Sequence, residues 1–594
     1  MTGRHTAGLA IEVNGRRLLG ACETSMAWAT VEESVRISAT AEIGFRDPYQ
    51  ASILSEAGLA LGSRIQLTVL TPDGTHALFD GEVTGCEARA AADSGVFTVI
   101  RAEDHAHRLR RGTRTRAYHQ MSAGQIVQKV ADLAGLRTGT IDTTGLMYEF
   151  VTQPAMSDWD FLSHLARENG REILLRDGAL HFRAPARASE APAVGASPQQ
   201  SPFVLEFGHN LINVSAVATL EEQVSAVTVR GWDSERKTPL VARQIPHQTP
   251  ARDVEWRPDH QAVHAEPLVL ATLPRSTQNE VEQVADAMAC EVAAGLTRLR
   301  ALVRGEPRIR LRSAVTVTGV GSQYEGRYTV TSARHEYHPD SGFLSELTVN
   351  EGADRVAPGR SGDSETGLRR FYGLVPGTVT NIKDPKEQGR VKVQLPWLSD
   401  DYESNWARTV QFGGSRGHGV VVPEVGDEVL VGFEHGSLDR PYVLGSLYNG
   451  VDKLAPNSLD LIDGTKGITQ RRSFASKEGH RLELSDAGSR GMGATLVTGD
   501  GKLSITLDQH RTLVSVHSDG KVEITSANGV TVDAGDAPLE LSGSRVTVKA
   551  KHDISLSGTD IKLKATSGLD ATGAKIKIAG GALAEISASL VKIN

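Results

Sequence analysis

The sequence predicts a multidomain, mainly β protein: an α+β N-terminal half, an OB-like barrel, and a C-terminal β-helix or β-prism. Three observations point there. The chain has 594 residues, too many for one core and enough for roughly three to five domains. Its 60 glycines and 5% aromatics favour strands and turns over large helical bundles. Its last stretch repeats one short apolar pattern at a near-constant spacing, the signature of a stacked architecture.

The N-terminal half mixes both element types. SRIQLTVLTPDG and HALFDGEVTGCEA alternate as strands do, with TPDG as the turn between them. MSAGQIVQKVADLAGL predicts a helix capped by Ser122, with Ile126, Val127, Val130 and Leu133 on one face and Gly135 ending it. SDWDFLSHLARENG predicts a second, with Ser157 as cap, Asp160 at the third helical position, Phe161, Leu162 and Leu165 inward, and Gly170 closing it. A third runs from Asn279 to Gly295, and strands follow in SAVTVTGVG, GRYTVTSARHEY and FLSELTVNEG. Two stretches, 183–202 and 353–370, lack an apolar period and read as flexible or extended linkers. Between 371 and 450, GTVTNIKDPKEQGRVKVQLPW, WARTVQF, GDEVLVGFEHG and RPYVLGSLYNG supply five short strands, which suits an OB-like barrel.

After Phe474 there is no aromatic residue, and Pro538 is the only proline. Apolar dyads recur from Val522/Ile524, through Ile561/Leu563 and Ile576/Ile578, to Val591/Ile593, about every 7.7 residues. Each unit has room for one short strand with two side chains inward and a small-residue corner. Such a unit must stack to bury its face, and an aromatic ring would not fit the narrow interior. Either one chain coils alone, reaching roughly 20 Å, or three chains wind together and reach on the order of 65 Å with fewer open edges. The period leaves both forms open.

Composition excludes several classes. A net charge of −8 makes neither nucleic acid nor an anionic membrane an expected partner. Cys22, Cys86 and Cys290 are too scattered for a disulfide framework or a zinc site, which fits a reducing compartment. MTGRHTAGLAIEVNG lacks the apolar core of a signal peptide, and no run approaches 18 apolar residues, so synthesis and assembly in the cytoplasm are expected.

The chemical candidates resolve to structural readings. HEYH at 335–338 lacks the HExxH spacing, and on a strand His335 and Tyr337 face away from Glu336 and His338. Asp104, His105 and His107 in EDHAH would need a fourth group to hold a metal. Asp158 and Asp160 sit where a helix start favours negative charge. RLRRGTRTR (108–116) lacks the interleaved aromatics of a nucleic-acid patch. GGSRGHG (413–419) lacks the Lys-Ser/Thr of a phosphate loop and reads as a barrel loop. Trp397 and Trp406 fit core or subunit packing better than base stacking. No catalytic residue, cofactor or metal is expected, and the expected function lies in shape and assembly.

The barrel stretch, with PEVGDEVLVGFEHGSLDRPYVLGSLYNG as its longest piece, resembles the gp-five-like barrel of VgrG spikes and phage baseplate spikes. FDGEVTGCEA, FTVIRAEDHAHRLRR and QPAMSDWDFLSHLARENGREILLRDGALHFR resemble the hub of the same family, also called phage late control D. The resemblance covers nearly the whole chain in the order hub, barrel, β-helix. It implies a hub with a first barrel and helical insertion over 1–182 and a second barrel-like domain over 203–352. An OB-fold barrel over 371–450, a neck over 451–480 and an intertwined triple-stranded β-helix needle over 481–594 follow. It also implies a homotrimer that meets a hexameric inner tube protein and baseplate proteins, carries cargo effectors, and touches a target membrane only during puncture. FDGEVTG and the short β-helix look closer to extracellular phage-tail-like particles than to type VI secretion VgrG. Unlike some members of the family, this sequence is expected to carry no inserted lysozyme, C-terminal toxin or HxH iron site. The end is therefore a candidate seat for a PAAR-type tip protein, with Leu590, Val591, Ile593 and Asn594 as its contacts.

Two rivals make distinct demands. A single-chain β-helix enzyme acting on polysaccharide needs aromatic sugar platforms, which the last 120 or so residues lack. An OB-fold nucleic-acid binder needs a basic barrel, but 420–450 holds Glu424, Asp427, Glu428, Glu434 and Asp439 against Arg440 alone.

Overall fold

Alternating apolar residues in Met26–Ser34, Ile37–Arg46 and Gly95–Asp104 bury Ala29, Val31, Ala41, Ile43, Phe45 and Ile100 on one side of a sheet. The computed structural model describes residues 7–593 except 36, 48–51, 92–94, 144, 222, 247–251, 255–264, 272–273, 350–369, 415–418, 455–456, 458 and 489–490. The chain divides into two units, Met1–Leu454 and Ala455–Asn594, and the described residues are mainly strand, as the sequence predicts.

The first unit is organised by one eleven-stranded sheet. Its order is Leu211–Ala218, Thr297–Arg304, Gly342–Val349, Ser332–His338, Met26–Ser34, Ile37–Arg46, Gly95–Asp104, Gly74–Ala91, Arg64–Thr71, Gly8–Val13 and Arg16–Arg17. The two barrel-like halves expected from sequence are thus one continuous sheet. They join where Ser332–His338 pairs antiparallel with Met26–Ser34, from Ser332 opposite Ser34 to Tyr337 opposite Ala29. Each half keeps its own core, the first around Ile43, Phe45 and Ile65, the second around Leu299, Val315 and Tyr328.

Each half also carries an inserted α/β piece. In the first, the helix Ala123–Leu133 begins at Ser122, whose hydroxyl accepts from the Gln125 amide while the Gln125 side chain returns to Ser122. Ile126, Val127 and Val130 are buried as predicted, but Leu133 is 58% exposed. Leu133 is the helix's last residue, and Ala131 takes the inward place beside Val130. The helix Asp158–Glu168 starts at Ser157 and buries Phe161, Leu162 and Leu165. In the second half, Gln278–Ala294 packs on the strands Val227–Asp233 and Thr238–Gln244 through Val281, Ala285 and Ala289. It starts one residue earlier than predicted because Thr277, forming a capping box with Glu280, is its cap.

The 183–202 segment is extended but fixed. Thr329 and Thr316 hydroxyls donate to the carbonyls of Ala186 and Pro192, at 3.1 and 2.5 Å, and Ala188 and Ala191 are buried. Hydrogen bonds to its carbonyls rule out a flexible tether there. The 353–370 stretch lies outside the described residues apart from Arg370.

The OB barrel has the five strands predicted, Leu374–Asn381, Lys392–Gln394, Arg408–Thr409, Glu428–Phe433 and Pro441–Ser446, around Val379, Val393, Val429 and Val431. A bridge between Val391 and Ala407 closes the sheet. Phe150 of the first inserted piece is buried in this barrel's core, and Thr152 meets the Tyr402 hydroxyl at 3.3 Å.

Charge reinforces the seam between the halves. Glu33, beside the paired strands, accepts from Arg310 Nε at 2.9 Å and from the Leu311 amide at 3.0 Å. Burial works to raise the Glu33 pKa, but the Arg310 guanidinium outweighs it and holds the carboxyl below its usual range. Arg310→Ala strands a buried carboxylate, so it is expected to lower stability by about 3–5 kcal/mol, measured as the first unit's denaturant midpoint. Arg310→Lys should recover only part of the loss.

Asp104 lies nearby, buried and accepting from the Ala39 and Ala106 amides at 2.9 Å each. Burial pushes its pKa up to about 7 against those two hydrogen bonds. The folded chain therefore holds a proton that the unfolded chain releases near pH 4. Its contribution is present below that pH and is lost as pH rises through about 7. Asp104→Asn should remove this slope between pH 4 and 7 from a melting series, and an unchanged slope would reject the assignment.

Candidate assembly interface

The apolar side chains of the second unit have no core of their own. Among its described residues only Gln470 and Arg471 are buried, and no apolar residue is. Five strands, Arg471–Ala475, Arg481–Asp486, Met492–Val497, Leu503–Asp508 and Leu513–Ser518, form an antiparallel meander. Their register sets Phe474, Leu482, Leu496, Ile505 and Val516 in one cross-strand row. Leu484, Ala494, Leu507 and Val514 form a second row two residues along, on the same face. The large side chains in these rows are 45–68% exposed. The opposite face carries Ser473, Glu483, Thr495, Thr506 and Ser515. One side of this sheet is therefore apolar and open, and the other polar and partly covered.

The family resemblance implies a neck over 451–480 and a needle from 481. The structure instead makes 471–518 one meander and starts the repeating coil after it. The signal was legible as period-two alternation in RLELSD, KLSITLD and LVSVHS.

Beyond Asp519 no described residue belongs to a strand, and the backbone pair made is Ala537 N–H to the Ala534 carbonyl at 3.0 Å. The dyads repeat one geometry. Leading members Val522, Val530, Leu539, Val546, Ile554, Ile561 and Ile576 are 55–59% exposed. Trailing members Ile524, Val532, Leu541, Val548, Leu556, Leu563 and Ile578 are 67–78% exposed. Burying each such side chain is worth about 1.5–3 kcal/mol. The sum over the repeat is on the order of tens of kcal/mol, more than a typical domain's whole stability. What the arrangement can do chemically is associate with an equally patterned strand.

The other sequence candidates settle elsewhere. Leu590, Val591 and Ile593 are exposed, and Asn594 lies outside the described residues. His335 is buried, bonded through Nδ1 to Ser345 Oγ at 2.7 Å and stacked on Phe343, and burial pushes its pKa down to about 4. His105, His107 and Arg108 converge on Glu82, His107 Nε2 at 2.8 Å. Among the described residues no group of three His, Cys, Asp or Glu is arranged to hold a metal ion.

Asp160 lies in the first turn, its amide donating to the capping Ser157 Oγ at 3.1 Å and its carboxylate accepting from that hydroxyl at 2.6 Å. Asp158 does more, accepting from Gln153 at 2.8 Å and pairing with Arg114 while buried. The basic run 108–116 is thus partly spent on internal acids, Glu82 and Asp158. Trp397 donates to the Pro376 carbonyl at 3.2 Å beside Phe371, and Trp406 lies under Arg390 and Lys392. Of GGSRGHG, residues 415–418 lie outside the described ones.

The described chain has no helix long and apolar enough to cross a membrane. Comparison with known proteins matches residues 4–338 to the family described as Alg8 N-terminal domain. Residues 375–448 match the type VI secretion system/phage-baseplate injector OB domain. The type VI secretion system spike protein VgrG5 of Pseudomonas aeruginosa is 41% identical over 86 residues, 14% of this chain and 11% of that protein. VgrG1a of the same organism is 23% identical over 491 residues, 74% of this chain and 70% of that one. The match thus spans about a tenth of the first relative's length and most of the second's. Among solved structures, the Francisella PdpA–VgrG complex aligns with a TM-score of 0.51 at 10% identity, over 87% of this chain and 80% of that one, a likeness of fold.

Proposed function

The chain belongs to the VgrG family of contractile-injection spikes, with an Alg8-type N-terminal domain over its first half, and on that premise we propose that it works as a homotrimeric needle and hub. It is a structural spike of a phage-tail-like or type VI injection system. The observation that supports the trimer is the unburied apolar repeat from 522 to 593, joined to the apolar face of the 471–518 meander. Three copies bury both, each supplying one wall at every level, and satisfy the strand edges that one chain leaves open. Bending such a shaft breaks many interchain contacts together, so it resists buckling under load.

In this reading the first unit meets the hexameric inner tube and baseplate proteins and passes their thrust to the needle. Leu590, Val591, Ile593 and Asn594 seat a PAAR-type tip protein. The protein is not an enzyme, and its work is mechanical. It is assembled in the cytoplasm and becomes part of an injection particle, which the FDGEVTG stretch favours as a phage-tail-like one.

The test is the solution mass of the full chain by light scattering after size exclusion. Three times the 63.5 kDa chain mass is expected, and a monodisperse single-chain mass would sink the trimer. Ile576→Asp combined with Ile578→Asp puts charge on the needle axis. It should lower the needle's melting temperature by about 10 °C or more while the first unit melts unchanged.

A further inference from the structure

The apolar dyads bind without specifying a register. Ile561/Leu563, Ile576/Ile578 and Val591/Ile593 are nearly interchangeable, so a chain displaced by one unit would bury almost the same surface. Something else must select the alignment. In a stacked trimeric needle, the residue between the two members of a dyad points to the opposite side of its strand, outward into solvent. In the last five units those residues are Lys562, Asp570, Lys577, Glu585 and Lys592, all exposed. Their charges alternate without a break.

Resting on the trimeric reading, the winding fixes which of these residues meet. With three chains related by a threefold axis, each chain moves to the next face as it climbs one strand. The strands stacked on any face are then consecutive units of different chains. Lys562 of one copy lies beside Asp570 of the next, Asp570 beside Lys577, Lys577 beside Glu585, and Glu585 beside Lys592. We propose that these five residues form an interchain ion-pair ladder that fixes the register of the three chains over the distal needle.

Slipped assemblies are penalised at both seams. A chain displaced by one unit meets its neighbours at unit n against n+2 on one side and n against n on the other. Each puts lysine on lysine and carboxylate on carboxylate, and like charges directly opposite one another destabilise a sheet. The ladder's selectivity comes from this repulsion as much as from attraction. Nearer the meander the equivalent residues are Glu523, Thr531, Glu540, Thr547 and Ser555, which do not alternate in charge. Register control therefore belongs to the distal end.

Two variants of the full chain test this. Asp570→Lys with Glu585→Lys leaves all five positions cationic. Lys562→Asp, Asp570→Lys, Lys577→Glu, Glu585→Lys and Lys592→Glu together invert every sign but keep the alternation. The all-cationic variant should lose about 5 °C or more from the needle's melting temperature in low salt, a difference that shrinks in about 1 M salt. The inverted variant should melt with the wild type. A trimeric wild type with an equally stable all-cationic variant overturns the ladder alone, as does an inverted variant that falls as far as the all-cationic one. A monomeric wild type overturns the trimeric reading itself, and the ladder with it.

Discussion

Everything in the second unit follows from one constraint: a strand of two inward side chains cannot enclose itself. A dyad such as Ile561/Leu563 offers one narrow apolar strip, and its flanking Ser, Gly and Thr give nothing to fold back over it. The chain is therefore left with no buried apolar residue from Leu482 to Ile593 among those described, and with most of its large apolar side chains exposed. In an ordinary domain that would be a liability. In the proposed trimer it is the means of assembly, because the missing core is divided among copies.

The first unit solves the opposite problem. Its two halves, each with a complete core, need a rigid relation to one another, and the continuous pairing of Ser332–His338 with Met26–Ser34 provides it. The Glu33–Arg310 pair sits against that seam, where low polarity strengthens the attraction and makes loss of either partner severe. The OB barrel is tied in through Phe150. Tight internal coupling in one unit and deferred burial in the other suit a part that must transmit force without deforming.

Short-range chemistry made much of this legible. Ser122 and Ser157 announced their helices because a hydroxyl before an apolar period satisfies the free amides of a helix start. Leu133 misled, since position on a helical wheel says nothing of where the covering layer stops. For the 183–202 segment the sequence left open whether it is flexible or extended, for a related reason. Its carbonyls are bound by Thr316 and Thr329, more than a hundred residues away, and no local composition records that.

By itself, then, the sequence determined the periods: five short barrel strands, three helices, two of them with their caps, and a dyad near every eighth residue. These depend on neighbours a few positions apart, so the chain carries them in plain order. Only the tertiary structure decided that two barrel-like halves share one sheet, that Asp158 and Glu33 are buried partners of arginine, and that 471–518 is a two-faced meander. Those outcomes turn on strand register and on contacts between distant segments, and a one-residue shift in register would send each side chain to the other face.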